Sequence, residues 1–115
     1  MNQQEAVEQI TPEVAVRLLG EGAALIDVRE PEEWRVGRAP EAQHIPLGEL
    51  GARLAELPVG RQLIMVCRSG ARSNSAATAL VGIGLHALNL SGGMQAWKAA
   101  AFPVVCDGGL PGDVA

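Results

Sequence analysis

The chain has 115 residues, 48% of them apolar and 19% charged, with a net charge of −4 and two cysteines. That length suits one domain able to bury roughly two thirds of its unfolded surface. The acidic balance argues against nonspecific nucleic-acid binding or a basic membrane-facing patch, and two cysteines cannot form a multi-disulfide scaffold.

The first residues, Met1 to Glu5, lack the cationic and apolar parts of a signal peptide, and no apolar run approaches membrane-spanning length. A soluble, cytoplasmic protein with free thiols is expected. Eight of the nine basic residues are arginine. This reads as compositional bias and lowers the weight of any single arginine.

Residues 1–8 are expected to be flexible. Ile10-Thr11-Pro12-Glu13 is a helix start: Thr11 can cap, Pro12 suits the first turn and Glu13 complements the helix dipole. Val14 and Leu18 share a face, and Gly20 and Gly22 end the helix. Ala23 to Val28 reads as a strand apolar on both faces, hence buried in a parallel sheet. Its exit, Asp27-Val28-Arg29-Glu30-Pro31, leads into a short helix with Glu32, Glu33 and Trp34.

Residues 37–43 are irregular, and His44-Ile45 reads as a very short strand before Pro46. A helix is expected next, with Leu50, Leu54 and Leu57 at i, i+4, i+7 and Glu49 paired to Arg53. Residues 62–66 form the most hydrophobic strand, and residues 73–83 a helix of small side chains. His86 to Leu90 reads as a further strand, Ser91-Gly92-Gly93 as a turn, and Met94 and Trp97 share a helix face. The tail from residue 106 to 115 is polar and Gly/Pro-containing, and disorder is expected there.

Strands and helices alternate without internal repeat, which predicts an α/β domain over residues 9–105: about five strands, mainly parallel, with helices on both faces. In such sheets the functional crevice lies beyond the carboxyl ends of the strands. Asp27 and Arg29 follow one strand, and Cys67, Arg68 and Arg72 follow another, so all reach one rim.

The chemistry centres on Cys67-Arg68-Ser69-Gly70-Ala71-Arg72-Ser73. A cysteine of pKa about 8.5 is a few per cent thiolate at neutral pH, and a drop of about two units, worth roughly 2.7 kcal/mol, makes thiolate the major form. Inward-turned loop amides, the positive end of the following helix, and Arg68 and Arg72 can supply that drop. Gly70 provides the positive φ that such a loop needs. The competing reading is a buried cysteine closing a core strand. Two arginines and a glycine within five residues favour the activated thiol.

This loop resembles the active-site loop of the rhodanese superfamily of sulfurtransferases. Three further segments match in the family's order: Asp27-Val28-Arg29-Glu30-Pro31-Glu32-Glu33-Trp34, His44-Ile45-Pro46-Leu47 and Gly92-Gly93-Met94-Gln95-Ala96-Trp97. The resemblance spans about residues 9–105 and implies a rhodanese-like single domain. It also implies that Cys67 takes sulfur from a small anionic donor such as thiosulfate and passes it, as a persulfide, to cyanide or a thiol. Arg68, Ser69, Gly70, Ala71, Arg72 and Ser73 would bind the donor. A cysteine desulfurase or a sulfur-accepting protein is a possible partner; no cofactor, metal, nucleic acid or membrane is expected, and a monomer is.

The alternatives are a non-enzymatic persulfide carrier or interaction module in sulfur trafficking and, further off, a small phosphatase or arsenate reductase. Those last families carry Cys-x5-Arg, whereas Cys67 to Arg72 is Cys-x4-Arg, which favours sulfur over a tetrahedral oxyanion. Asp27 is expected to support the loop by accepting hydrogen bonds, with Arg72 a candidate donor. Arg29 suits a salt bridge, and Trp34 the core or a wall of the crevice. His44 and His86 read as structural or solvent-facing. Where the family has His-Ile-x-Gly-Ala after its glycine, this chain has Arg38 to Ala42, so that connection should have its own conformation. Cys106 is an incidental thiol by default, with resolution of the persulfide as the alternative.

Overall fold

The computed structural model describes residues 7–115; most of the expected flexible N-terminus lies outside the described residues. The elements in chain order are β1 (Gln9–Ile10), α1 (Pro12–Gly20), β2 (Ala24–Asp27), α2 (Pro31–Val36), β3 (Gln43–His44), β4 (Leu63–Val66), α3 (Ala71–Gly82), β5 (Ala87–Leu90) and α4 (Gly93–Ala99). The five strands form one parallel sheet in the order β1-β5-β4-β2-β3. The chain moves outward from β2 to β3, then returns past β2 to lay down β4. The crevice of such a sheet opens where the order reverses, between the ends of β2 and β4.

Alternation along the strands builds two cores. Ile26, Val28, Leu63, Met65 and Cys67 face Ala76, Ala77 and Leu80 of α3, together with Leu50 and Leu57. Leu25, Ile64, Val66, Leu88 and Leu90 face Ala15 of α1 and Met94 and Trp97 of α4. The expected α/β class and two-faced layering are both present. The alanines of α3 let the helix approach the sheet closely, which seats its first turn directly above the end of β4.

Three local expectations are revised. The leucine-patterned segment is not an α-helix but two 3-10 turns, Leu47–Glu49 and Gly51–Glu56, kinked at Arg53. Gly48 and Gly51 lower helix propensity inside a stretch bracketed by Pro46 and Pro58. Leu50 and Leu57 are buried all the same, and Arg53 reaches both Glu49 and Glu56 at 2.8 Å. The short strand β1 was not anticipated, because two residues carry no periodicity; it pairs with β5.

The tail is the third revision. Residues 106–115 pack back on the domain instead of remaining disordered. The Gly112 amide donates to the Val104 carbonyl at 2.8 Å, and the Asp113 amide to Val36 at 3.1 Å. Asp113 also pairs with Lys98, which holds its carboxyl below the ordinary value. Val114 joins the α1/α4 core. A Cβ on Gly37 would lie 2.1 Å from the Asp113 carbonyl oxygen, so the bare backbone of Gly37 makes room for this returning segment.

Candidate active site

The hydrophobic run of β4 ends at Cys67, which is 1% exposed. The chain then turns through Gly70, at φ +111°, into α3. That left-handed residue lets the Gly70 amide point back and donate to Cys67 Sγ at 3.1 Å. The Ser73 hydroxyl lies 3.3 Å from the same sulfur. α3 starts at Ala71, two residues earlier than its pattern implied, so Arg72 and Ser73 belong to its first turn. Burial pushes the Cys67 thiol up, but the Ser73 hydroxyl and the amides of Ser73, Gly70 and Ser69 outweigh it. The thiol lies below its ordinary value.

The loop is held from outside by α4. The Met94 amide donates to the Cys67 carbonyl at 2.8 Å, and the Gln95 amide to the Arg68 carbonyl at 3.0 Å. Gly93 permits this approach: its φ is +59°, and a Cβ there would sit 2.4 Å from the Cys67 carbonyl oxygen. The Gly-Gly pair before α4 is therefore a seat for the cysteine loop as well as a turn.

Around this cradle the ionic groups take definite partners. Arg72 makes two parallel 2.8 Å hydrogen bonds to Glu33, whose Oε1 also accepts the Glu30 amide at 2.9 Å. The Arg72 guanidinium holds the Glu33 carboxyl down to about 2. Asp27 does not receive Arg72. It accepts Arg29 Nε at 3.0 Å and Arg29 Nη2 at 2.8 Å, with both side chains fully buried, and Arg29 Nη2 also reaches the Gly37 carbonyl at 2.7 Å. The expected salt-bridge role of Arg29 is thus met by Asp27, its neighbour two residues away on the exit of β2. Among the described residues, Arg29 Nη1 is the buried side-chain nitrogen without a hydrogen-bond partner.

Arg68, Ser69 and Ala71 are exposed, and Arg68 Nε donates to the Ala115 carbonyl. Trp34 is half-buried and stacks on His44 at 4.6 Å between centroids, with the Arg38 guanidinium 4.7 Å over its ring. It is tied to neither core. His44 Nε2 lies 2.7 Å from the Arg29 carbonyl; a carbonyl only accepts, so that nitrogen carries the proton. Cys106 is a partly exposed free thiol in the returning tail, its Sγ 3.6 Å from the Pro111 carbonyl. No group of three or more potential metal ligands occurs among the described residues. No helix among them is long and apolar enough to cross a membrane.

The sequence profile of the rhodanese-like domain matches residues 11–100. The chain belongs to the rhodanese-like family. A sulfurtransferase of Allochromatium vinosum is 38% identical over 90 residues, covering 77% of this chain and 84% of its own length. A putative sulfurtransferase of Bacillus subtilis is 38% identical over 79 residues, covering 69% and 77%. The crystal structure of a rhodanese-related protein from Thermoplasma volcanium superposes with a TM-score of 0.81 at 28% identity, covering 87% of this chain and 99% of that one. Rhodanese-type sulfur transfer is the activity class these relatives support.

Within this rhodanese-like domain, two residues beside the cradle carry no obvious signal in the sequence. Glu33 reads as one more acidic residue in the first turn of α2, yet it holds Arg72. Asn89 lies inside β5, 2% exposed, with its Oδ1 2.6 Å from Ser73 Oγ. A polar residue within an otherwise apolar strand was the one available hint.

Proposed function

We propose that this chain moves sulfane sulfur from a small anionic donor such as thiosulfate to a thiophilic acceptor, cyanide or a thiol, through a persulfide on Cys67. The observation that carries this reading is the cradle itself. A buried sulfur receives a loop amide and faces a hydroxyl under the start of α3, in a loop with four residues between cysteine and arginine. Such a cradle stabilises a thiolate and has no further residue to widen it for a tetrahedral oxyanion.

In the first half-reaction the Cys67 thiolate attacks the outer sulfur of thiosulfate. A sulfur–sulfur bond forms, the bond to the sulfonate sulfur breaks, and its electron pair leaves with sulfite. In the second, the acceptor attacks the terminal sulfur of the persulfide, and the electron pair of that bond restores the thiolate. No base is needed once the thiolate is preformed. The persulfide carries its charge on the terminal sulfur, where the loop amides and the end of the α3 dipole stabilise it. Arg72 is compensated by its bidentate pair with Glu33 and fixes the end of the loop, while Arg68 on the exposed side supplies the charge that attracts an anionic donor. Asp27 and Arg29 support the floor of the site as a neutral pair.

Intact-protein mass after brief exposure to thiosulfate tests the assignment. A gain of one sulfur atom is expected in the wild type and in Cys106→Ser, and none in Cys67→Ser. Loss of the gain in Cys106→Ser alone would overturn it. Turnover of thiosulfate and cyanide distinguishes an enzyme from a carrier. Persulfide accepted only from a cysteine desulfurase, with no such turnover, would favour the carrier.

A further inference from the structure

The Ser73 hydroxyl has one proton and three acceptors in reach: Asn89 Oδ1 at 2.6 Å, Cys67 Sγ at 3.3 Å and the Gly70 carbonyl at 3.3 Å. Ser73 is fully buried and Asn89 2% exposed, so bulk water does not relieve this competition. The orientation of the Asn89 amide follows from its neighbours. Its nitrogen lies 3.2 Å from the Gly70 carbonyl, which only accepts, and 2.8 Å from Gln9 Oε1. Both amide hydrogens are therefore engaged, and the oxygen must face Ser73. Gln9 is itself anchored, donating to Asn74 Oδ1 at 2.7 Å. The short Ser73–Asn89 contact is the strongest the hydroxyl makes.

We propose that Asn89 is a positioning residue that withholds the Ser73 proton from Cys67 and so sets how strongly the resting thiolate is stabilised. When Ser73 turns its proton to the sulfur, Asn89 Oδ1 loses its donor in a buried site, and that loss opposes the turn. The thiolate is then held mainly by the loop amides and stays the more nucleophilic for it. Once Cys67 becomes a persulfide, Sγ no longer carries the charge, and the proton rests on Asn89 without conflict. The inference takes Cys67 as the nucleophile, in line with the function proposed above. The formal charges around the sulfur are Arg72 on α3, held by Glu33 of α2, and Arg68 in the loop, with the paired Asp27 and Arg29 at the exit of β2. None of them contacts Asn89 or Ser73 by a hydrogen bond, so changes at Asn89 leave their pairing intact.

The test is the pH profile of Cys67 alkylation by iodoacetamide, in a Cys106→Ser background so that one thiol reports. Asn89→Leu keeps the side-chain volume and removes the competing acceptor. Its midpoint should fall by about one pH unit, because the freed Ser73 proton goes to the thiolate. The fall should vanish when Ser73→Ala is added. An unchanged or raised midpoint, or the same fall without Ser73, overturns the proposal. Gln9→Ala, at an exposed position, loosens the Asn89 amide without touching the core, and carries the test if Asn89→Leu fails to fold. A smaller fall supports the proposal and no fall overturns it. Alkylation uses no sulfur donor, so a failure of thiosulfate to load Cys67 would defeat the proposed function while leaving this measurement readable.

Discussion

Arg72 and Glu33 meet through two parallel 2.8 Å hydrogen bonds that join the first turn of α3 to the start of α2 across 39 residues of chain. The pair fixes the arginine that closes the cysteine loop. It also defines an acid limit. The Glu33 carboxyl titrates near 2 in the folded state and near 4.5 when unfolded, so folding favours its charged form. The resulting stabilisation is complete above about pH 4.5 and is lost as pH falls toward 2. Glu33→Gln should lose about 1 kcal/mol at neutral pH, because the pair is partly exposed. Urea denaturation at pH 7 and at pH 3 checks this: the difference between variant and wild type should shrink at the lower pH.

The Cys67 thiol lies below its ordinary value, so its thiolate fraction rises with pH earlier than that of a free cysteine. Alkylation of Cys67 should follow the same course. Ser73→Ala removes the hydroxyl and should move the midpoint up by only about 0.3 unit, since Asn89 already holds most of that proton. A midpoint unchanged by that substitution would leave the amides alone responsible for the shift.

Asp27 and Arg29 form a fully buried pair. Asp27→Asn leaves a guanidinium in the protein interior without its counter-charge, which costs about 3–5 kcal/mol. Joint replacement by Leu and Met should recover most of that loss. Equilibrium denaturation of the single and double variants measures it, and a single-variant loss below about 1 kcal/mol would contradict the buried-charge argument.

Gly93 has a left-handed φ and abuts the backbone of Cys67 and Arg68. Gly93→Ala should destabilise the fold by about 3 kcal/mol and raise the alkylation midpoint, since the loop must shift to admit a methyl group. Gly48 and Gly82 have nothing within 4 Å of an added Cβ. Alanine at Gly82, the last residue of α3, should be neutral or slightly stabilising, by at most about 0.5 kcal/mol. Thermal melting of both variants distinguishes a steric seat from a merely permissive glycine.

Much of the site was legible because its decisive chemistry is contiguous. An apolar strand, a cysteine, a glycine able to take positive φ and a helix start follow one another from Leu63 to Ser73, so the cradle follows from local backbone geometry. The order of strands and helices was legible for the same reason: period and punctuation are local properties. The segment around Leu54 misled because its leucine spacing satisfied a helical template while Gly48 and Gly51 broke the backbone. The tail misled because polar composition says nothing of backbone amides that find partners on Val36 and Val104.

By itself the sequence determined the α/β class, the nucleophile candidate, the loop length and the family motifs. Each of these depends on residues within a few positions of one another. Only the tertiary structure decided who pairs with whom: Arg72 with Glu33 rather than Asp27, Arg29 with Asp27, Gly93 against Cys67, Asn89 against Ser73. Buried polar groups must find partners among whatever the packed elements bring near, and that choice follows strand order and helix placement, which no local pattern encodes.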